Sequence, residues 1–170
     1  MNTTTVKLQT LGYAQTKTWL TASLFIACNI ALPQLCHLIP GGGATLLPIY
    51  FFTLIGAYKY GWKVGLLTAI ASPLLNSLLF GMPAAASLPA ILFKSAALAA
   101  AAGYAAAHFR KVSLPIVLGV VLAYQIAGTA FEWALTGSLL DAAQDFRMGL
   151  PGMALQVFGG WIFVKYLLNK

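Results

Sequence analysis

The sequence predicts an all-α integral membrane protein, one bundle of six transmembrane helices with the N and C termini cytoplasmic. Three observations carry that expectation. The chain has 170 residues, of which 60% are hydrophobic and 8% charged, whereas soluble domains carry about 25% charged residues. Its apolar residues gather into six segments, about 17–38, 44–60, 63–80, 88–107, 113–136 and 147–168. Each approaches the ~17–25 residues needed to cross ~30 Å of hydrocarbon. Its basic residues fall between these segments and favour one side.

Taken in order, residues 1–16 form a polar cytoplasmic N-terminal segment, and 17–170 form a single membrane domain with no room for a second. A polar stretch holding Lys7 and Lys17 before an apolar run from Trp19 fits either a signal peptide or a first span. No small-x-small cleavage site follows cleanly, so an uncleaved span is expected. Ile39-Pro-Gly-Gly-Gly43 ends it. The second segment is short, with Pro48 in its first turn, where a missing N–H is harmless. Gly61-Trp62-Lys63 separates the second and third, and Gly81-Met82-Pro83 the third and fourth. His108 to Lys111 and then Gly137 to Asp145 bound the fifth.

With the N-terminus inside, the inner connections and ends hold Lys7, Lys17, Lys59, Lys63, Arg110, Lys111, Lys165 and Lys170, eight of the ten basic residues. The outer ones hold Arg147 beside Asp141 and Asp145. The positive-inside rule then places both termini in the cytoplasm, with Trp19, Tyr60, Trp62 and Trp161 as an aromatic belt. The net charge of +7 is thus accounted for by topology rather than by nucleic acid, and the lipid bilayer is the expected partner of the apolar surface.

The residue that stands out is Lys94, an ammonium inside ILFKSAALAAAAGYAAA, Ile91 to Ala107. It lies six residues past Leu88, ~9 Å below the start of the fourth span. Asn76 on the third span and Glu132 on the fifth fall at similar depth, and Arg147 opens the sixth just above them. Gln125, Gly128, Thr129 and Glu132 stand at i, i+3, i+4 and i+7, one face of a helix. Such a stripe should face protein or water rather than lipid. Gln156 lies deeper on the sixth span, with Gly149, Gly152 and Gly160 near the same side. Together they predict a polar cavity among the last spans, open outward and closed toward the cytoplasm.

Blander readings stand beside this one. Lys94 could snorkel to the interface, or Lys94 and Glu132 could form a purely structural ion pair. Asn76, Gln125 and Gln156 divide between helix–helix hydrogen bonding and ligand contact, while Asp141 and Asp145 suit a solvated loop. Ser23, Ala27 and Ala31 recur every four residues on the first span, a row that lets another helix approach closely. That helix belongs either to this chain or to another subunit. For the alanine run from Ala96 to Ala107, packing within the chain is favoured.

Several chemistries lack their residues. No GxxxxGK[ST], HExxH or GxSxG occurs, which removes the P-loop and the common hydrolase motifs. Nucleophile, base and metal are not placed together, so no enzyme is expected. Cys28 and Cys36 form no CxxC, His37 and His108 fall at opposite faces, and three acidic residues are too few for a carboxylate relay. No metal and no cofactor are expected. Inverted repeats, common in self-sufficient transporters, are not evident.

At this point the residues support a family. LPIYFFTLIGAYKYGWKVGLLTAIASPLLNSLLFGMP, Leu47 to Pro83, resembles the second and third spans of the substrate-binding S components of energy-coupling factor (ECF) vitamin transporters. The shared features are a glycine-bearing helix end, a G-x-x-x-G turn at Gly61 and Gly65, and a helix ending in Leu-Leu-Phe-Gly-x-Pro. The likeness extends over about residues 17–168, and Ser23, Ala27 and Ala31 resemble the strip that docks on the transmembrane coupling subunit. It implies a multi-pass prokaryotic cell membrane protein that binds a water-soluble vitamin or related molecule, with transport energised by a partner ATPase pair. It also implies an outward site built by spans four to six and capped by Ile39–Gly43 and Gly81–Ser87. Candidate ligand-contacting residues are Asn76, Lys94, Gln125, Thr129, Glu132, Arg147 and Gln156. Several relatives carry an acidic residue in the fourth-span region of Lys94. With Arg147 nearby, this departure points to a ligand bearing a carboxylate or phosphate. The alternatives left open are a self-sufficient small-molecule transporter and a membrane scaffold protein.

Overall fold

The computed structural model describes residues 4–5 and 9–167, so Lys7 and Lys170, used above for orientation, lie outside the described residues. The structure is 82% helical. Four helices are long and apolar enough to cross a membrane: α1 (Thr16–Cys36), α4 (Trp62–Phe80), α5 (Leu88–Phe109) and α6 (Leu114–Thr136). They match the expected first, third, fourth and fifth spans to within two residues at each end.

The second and sixth expected spans are broken. The former divides into α2 (Gly42–Leu46), a 3₁₀ turn at Pro48–Tyr50 and α3 (Phe51–Tyr60). The latter divides into α8 (Gln144–Met148), α9 (Leu150–Ile162) and a π-helical turn at Phe163–Leu167. A further short helix, α7 (Leu139–Ala142), precedes α8. With 10 and 13 residues, α3 and α9 extend only ~15 and ~20 Å, short of the ~30 Å of hydrocarbon.

The boundaries follow from local chemistry. Pro89 and Pro115 occupy the first turn of α5 and α6, where the absent N–H costs nothing. Gly81 and Gly137 adopt left-handed backbone and close the C-terminal ends of α4 and α6. At Leu47 the left-handed conformation falls instead on a branched, buried residue, which costs about 1–3 kcal/mol. The tertiary structure holds it there. A Cβ on Gly149 would press on the Leu47 side chain at 2.7 Å, and one on Gly152 would overlap the Leu46 carbonyl. The start of α9 thus clamps the break before α3.

Helix α5 is central, packing against α3, α4 and α6, while α9 packs on α6, α3 and α2. The alanines of α5 are used within the chain, as favoured from the sequence: Ala99, Ala102, Ala105 and Ala106 are buried. Gly103 lies against Trp62 so closely that a Cβ would come within 2.5 Å of the Trp62 Cβ. Gly61, with φ of 94°, turns the chain from α3 into α4, and Gly65 then lets α4 settle onto Ala57. This close hairpin is the structural content of the Gly61/Gly65 spacing.

One junction needs a side chain. Asn29 of α1 is fully buried; its Oδ1 accepts from the Phe52 N–H at 3.1 Å, and its Nδ2 donates to Thr53 Oγ1 at 3.0 Å. Phe52 lies in the first turn of α3, whose N–H groups have no partner within the helix. In lipid such groups must be satisfied by protein, and Asn29 does so from a neighbouring helix. At the end where α5 hands over to α6, β1 (Thr4–Thr5) pairs antiparallel with β2 (Lys111–Val112), Thr4 opposite Val112. The Tyr58 hydroxyl donates to the Lys111 carbonyl at 2.6 Å.

Candidate functional site

At the other end of the bundle the C-termini of α1, α4 and α6 meet the N-terminus of α5, and a cavity of about 400 Å³ opens among them. That volume falls within the ~300–1,000 Å³ of small-molecule sites. The wall is largely apolar, with Pro33, Leu47, Ile49, Met82 and Ile91 contributing. The loops flanking it are those expected as caps: Gly43 on one side, and Gly81 to Ala84 with Ser87 on the other. Gly43 packs on the His37 imidazole, where a Cβ would come within 2.5 Å of Nε2. Ser77 donates to the Pro83 carbonyl at 2.9 Å and fixes the second loop to α4.

The polar face is built around Lys94. Its side chain is 3% exposed, and its ammonium donates to Glu132 Oε2 at 2.5 Å and to Asp145 Oδ2 at 2.9 Å. The sequence stripe on α6 explains the seat: Gly128 accommodates the lysine stem, since a Cβ there would overlap Cγ, and Glu132 one turn on receives the head. Asp145 closes the pair from α8. Both carboxylates line the cavity and remain partly open to it, at 25% and 20% side-chain exposure. Across the cavity Asn76 is 1% exposed and accepts from Gln34 Nε2 at 3.1 Å through Oδ1.

Of the sequence candidates, Asn76, Lys94 and Glu132 come together at this cavity. The others do not. Arg147 is exposed and forms no ion pair among the described residues; Asp145, two positions earlier, holds the place expected for it. Gln125 and Gln156 are fully buried away from the cavity, and Thr129 does not line it. Gln156 accepts from the Tyr124 hydroxyl at 2.8 Å, whereas both amide atoms of Gln125 and the Thr129 hydroxyl have no partner among the described residues. The expected location among spans four to six is corrected in part: Lys94, Glu132 and Asp145 bring α5, α6 and α8 to the cavity, but α9 contributes no lining residue, and α1, α4 and the break before α3 complete the wall. Sequence reasoning misses Gln34, Tyr50 and the pairing of Asp145, which it reads as a loop acid, and it treats as interfacial His37, which with Tyr50 lines the cavity.

Ser23, Ala27 and Ala31 are all exposed. The buried row of α1 is a different one, Thr18, Ala22, Phe25, Asn29, Pro33 and Cys36. The small-residue strip is thus unused by this chain's own helices.

Comparisons with protein-family models, with curated proteins and with solved structures return no match. Four helices long and apolar enough to span a bilayer make this a membrane protein.

Proposed function

We propose that the chain is the membrane-embedded binding subunit of an uptake system for a water-soluble vitamin or related small molecule, similar to the S components of ECF transporters. In this reading the chain passes the membrane six times, α2 with α3 and α8 with α9 each making one broken pass. Both termini are cytoplasmic, and the cavity opens outward in a prokaryotic cell membrane. Lys17, Lys59, Lys63, Arg110, Lys111 and Lys165 all belong to the end away from the cavity, which supports that orientation. The exposed strip of Ser23, Ala27 and Ala31 would dock on a transmembrane coupling subunit, and a partner ATPase pair would supply the energy.

The observation that carries the proposal is the cavity of about 400 Å³ with a buried lysine bridging two partly open carboxylates. A purely structural ion pair needs no such opening beside it. The test is native mass spectrometry of the protein purified in mild detergent. A bound water-soluble small molecule is expected, together with uptake into liposomes only when a coupling module and ATP are supplied. Absence of any bound molecule, with uptake by this protein alone, would overturn the proposal.

A further inference from the structure

We propose that the cavity takes a small organic cation, a molecule with a protonated or quaternary nitrogen at one end and a hydrogen-bond acceptor at the other. The inference rests on the binding-subunit reading above and names the chemistry of its ligand.

It starts from a charge count. Lys94 contributes +1 and Glu132 and Asp145 contribute −1 each, leaving −1 at the wall. Among the described residues the remaining titratable groups lining the cavity are His37 and Tyr50, and Arg147, which could have offset the charge, is exposed and outside the lining. The excess charge is accessible, because the carboxylates retain 25% and 20% exposure while the ammonium between them retains 3%. A ligand entering the cavity therefore meets carboxylate oxygens with free lone pairs and an ammonium already engaged by two acceptors. An incoming cation brings the cluster to neutrality; an incoming anion raises it to −2, and like charges at contact distance repel.

Asn76 supplies a second, independent pointer. It is 1% exposed and lines the cavity, its Oδ1 is taken by Gln34, and its Nδ2 has no acceptor among the described residues. An amide donor left over at a cavity wall pairs best with an acceptor on whatever fills the space. The apolar wall between the two polar ends suits the body of the ligand. A bare metal ion fits poorly: Lys94 occupies carboxylate oxygens it would need, an ammonium cannot ligate, and no group of three or more metal-binding side chains occurs among the described residues.

The experiment measures binding by ligand-induced thermal stabilisation in mild detergent with three probes sharing one body: tyramine (cation), tyrosol (neutral) and 4-hydroxyphenylacetate (anion). Tyramine should bind at least about tenfold more tightly than 4-hydroxyphenylacetate, with Na⁺ or Mg²⁺ alone producing no stabilisation. Asp145→Asn and, independently, Glu132→Gln should each cut that preference severalfold. Equal or tighter anion binding, a preference unchanged in both variants, no binding by any probe, or stabilisation by the metal ions alone would overturn the inference. An anionic molecule found by native mass spectrometry would overturn it while leaving the binding-subunit reading intact.

Discussion

Lys94→Met removes the ammonium and keeps the unbranched stem that Gly128 accommodates, so it isolates the charge. At 2.5 and 2.9 Å and an effective dielectric near 20, the two attractions are each roughly 6 kcal/mol gross. Desolvation of the three groups cancels most of that, because the effective penalty is several kcal/mol per buried ion. The net worth of the cluster is therefore small, and the cost of breaking it is not. Without the ammonium, two carboxylates on α6 and α8, each still three-quarters or more buried, are left without a counter-charge, and stranding buried charge in this way costs about 3–5 kcal/mol. At roughly 2–4 °C per kcal/mol for a chain of this size, unfolding in mild detergent should begin about 6–20 °C lower. Adding Glu132→Gln and Asp145→Asn to Lys94→Met should recover more than half of the loss, since the neutral triple variant has nothing left to repel. A Lys94→Met protein as stable as the wild type, or a triple variant less stable than the single one, would refute the electrostatic account of the cluster.

Other perturbations test the frame around it. Asn29→Ala strands the Phe52 N–H, and Thr53 and Ser72 lose a shared donor; a loss of about 2 kcal/mol is expected in the same unfolding assay, between the ~0.6 average for polar contacts in membranes and the ~1–3 for a stranded buried group. Gly103→Ala forces the Trp62 backbone, 2.9 Å from the new methyl, away from α5, and should cost about 1–3 kcal/mol. Gly119→Ala, with nothing within 4 Å of the added carbon, should be neutral or stabilising by up to ~1 kcal/mol. Ala27→Leu fills the exposed strip of α1 and, if that strip docks a coupling subunit, should abolish energised uptake in liposomes while leaving the stability and probe binding of the isolated protein unchanged.

The parts of the molecule that were legible in the sequence are those set by short-range pattern. An unbroken apolar run with glycine or proline at its ends is enough to place α1, α4, α5 and α6, because length and hydropathy are properties of the run itself. The Lys94–Glu132 pair was legible too, since antiparallel neighbours with polar residues at equal depth tend to meet. The choice between Asp145 and Arg147 was not. Two positions apart on a helix means ~200° around its axis, so one of them faces the cavity only if the other turns away. Which one does so is set by the start of α8, and nothing local in that loop shows it. Asn29 was hidden for a related reason: its partner is a backbone N–H, which every residue of the facing segment carries alike. For Gln125 and Thr129 the stripe indicated protein rather than lipid, but periodicity cannot tell a packed interface from an opening.

The position of the cavity follows from the two breaks that hydropathy concealed. An unbroken second span would run the length of α1 and α4 and fill the space between them. Instead α3 covers ~15 Å, and the remainder of that segment is a left-handed Leu47, a 3₁₀ turn and the five residues of α2. α9 is short at the same end, and α8 bends across to bring Asp145 over Lys94. The open volume thus lies in the half of the bundle that the shortened helices vacate. Non-helical backbone at membrane depth is tolerated only where protein or a cavity satisfies it. Here Asn29 caps the start of α3, Pro48 has no N–H to satisfy, and the glycines at 149 and 152 admit the displaced strand of backbone. Filling Gly152 with a larger side chain, which would collide with the Leu46 carbonyl and displace the neighbouring Leu47 of the cavity wall, should therefore close or distort the cavity without touching a charged group. Probe binding should fall in Gly152→Val while the Lys94 cluster keeps its dependence on Glu132 and Asp145. If binding survived that substitution, the breaks would not be what creates the site.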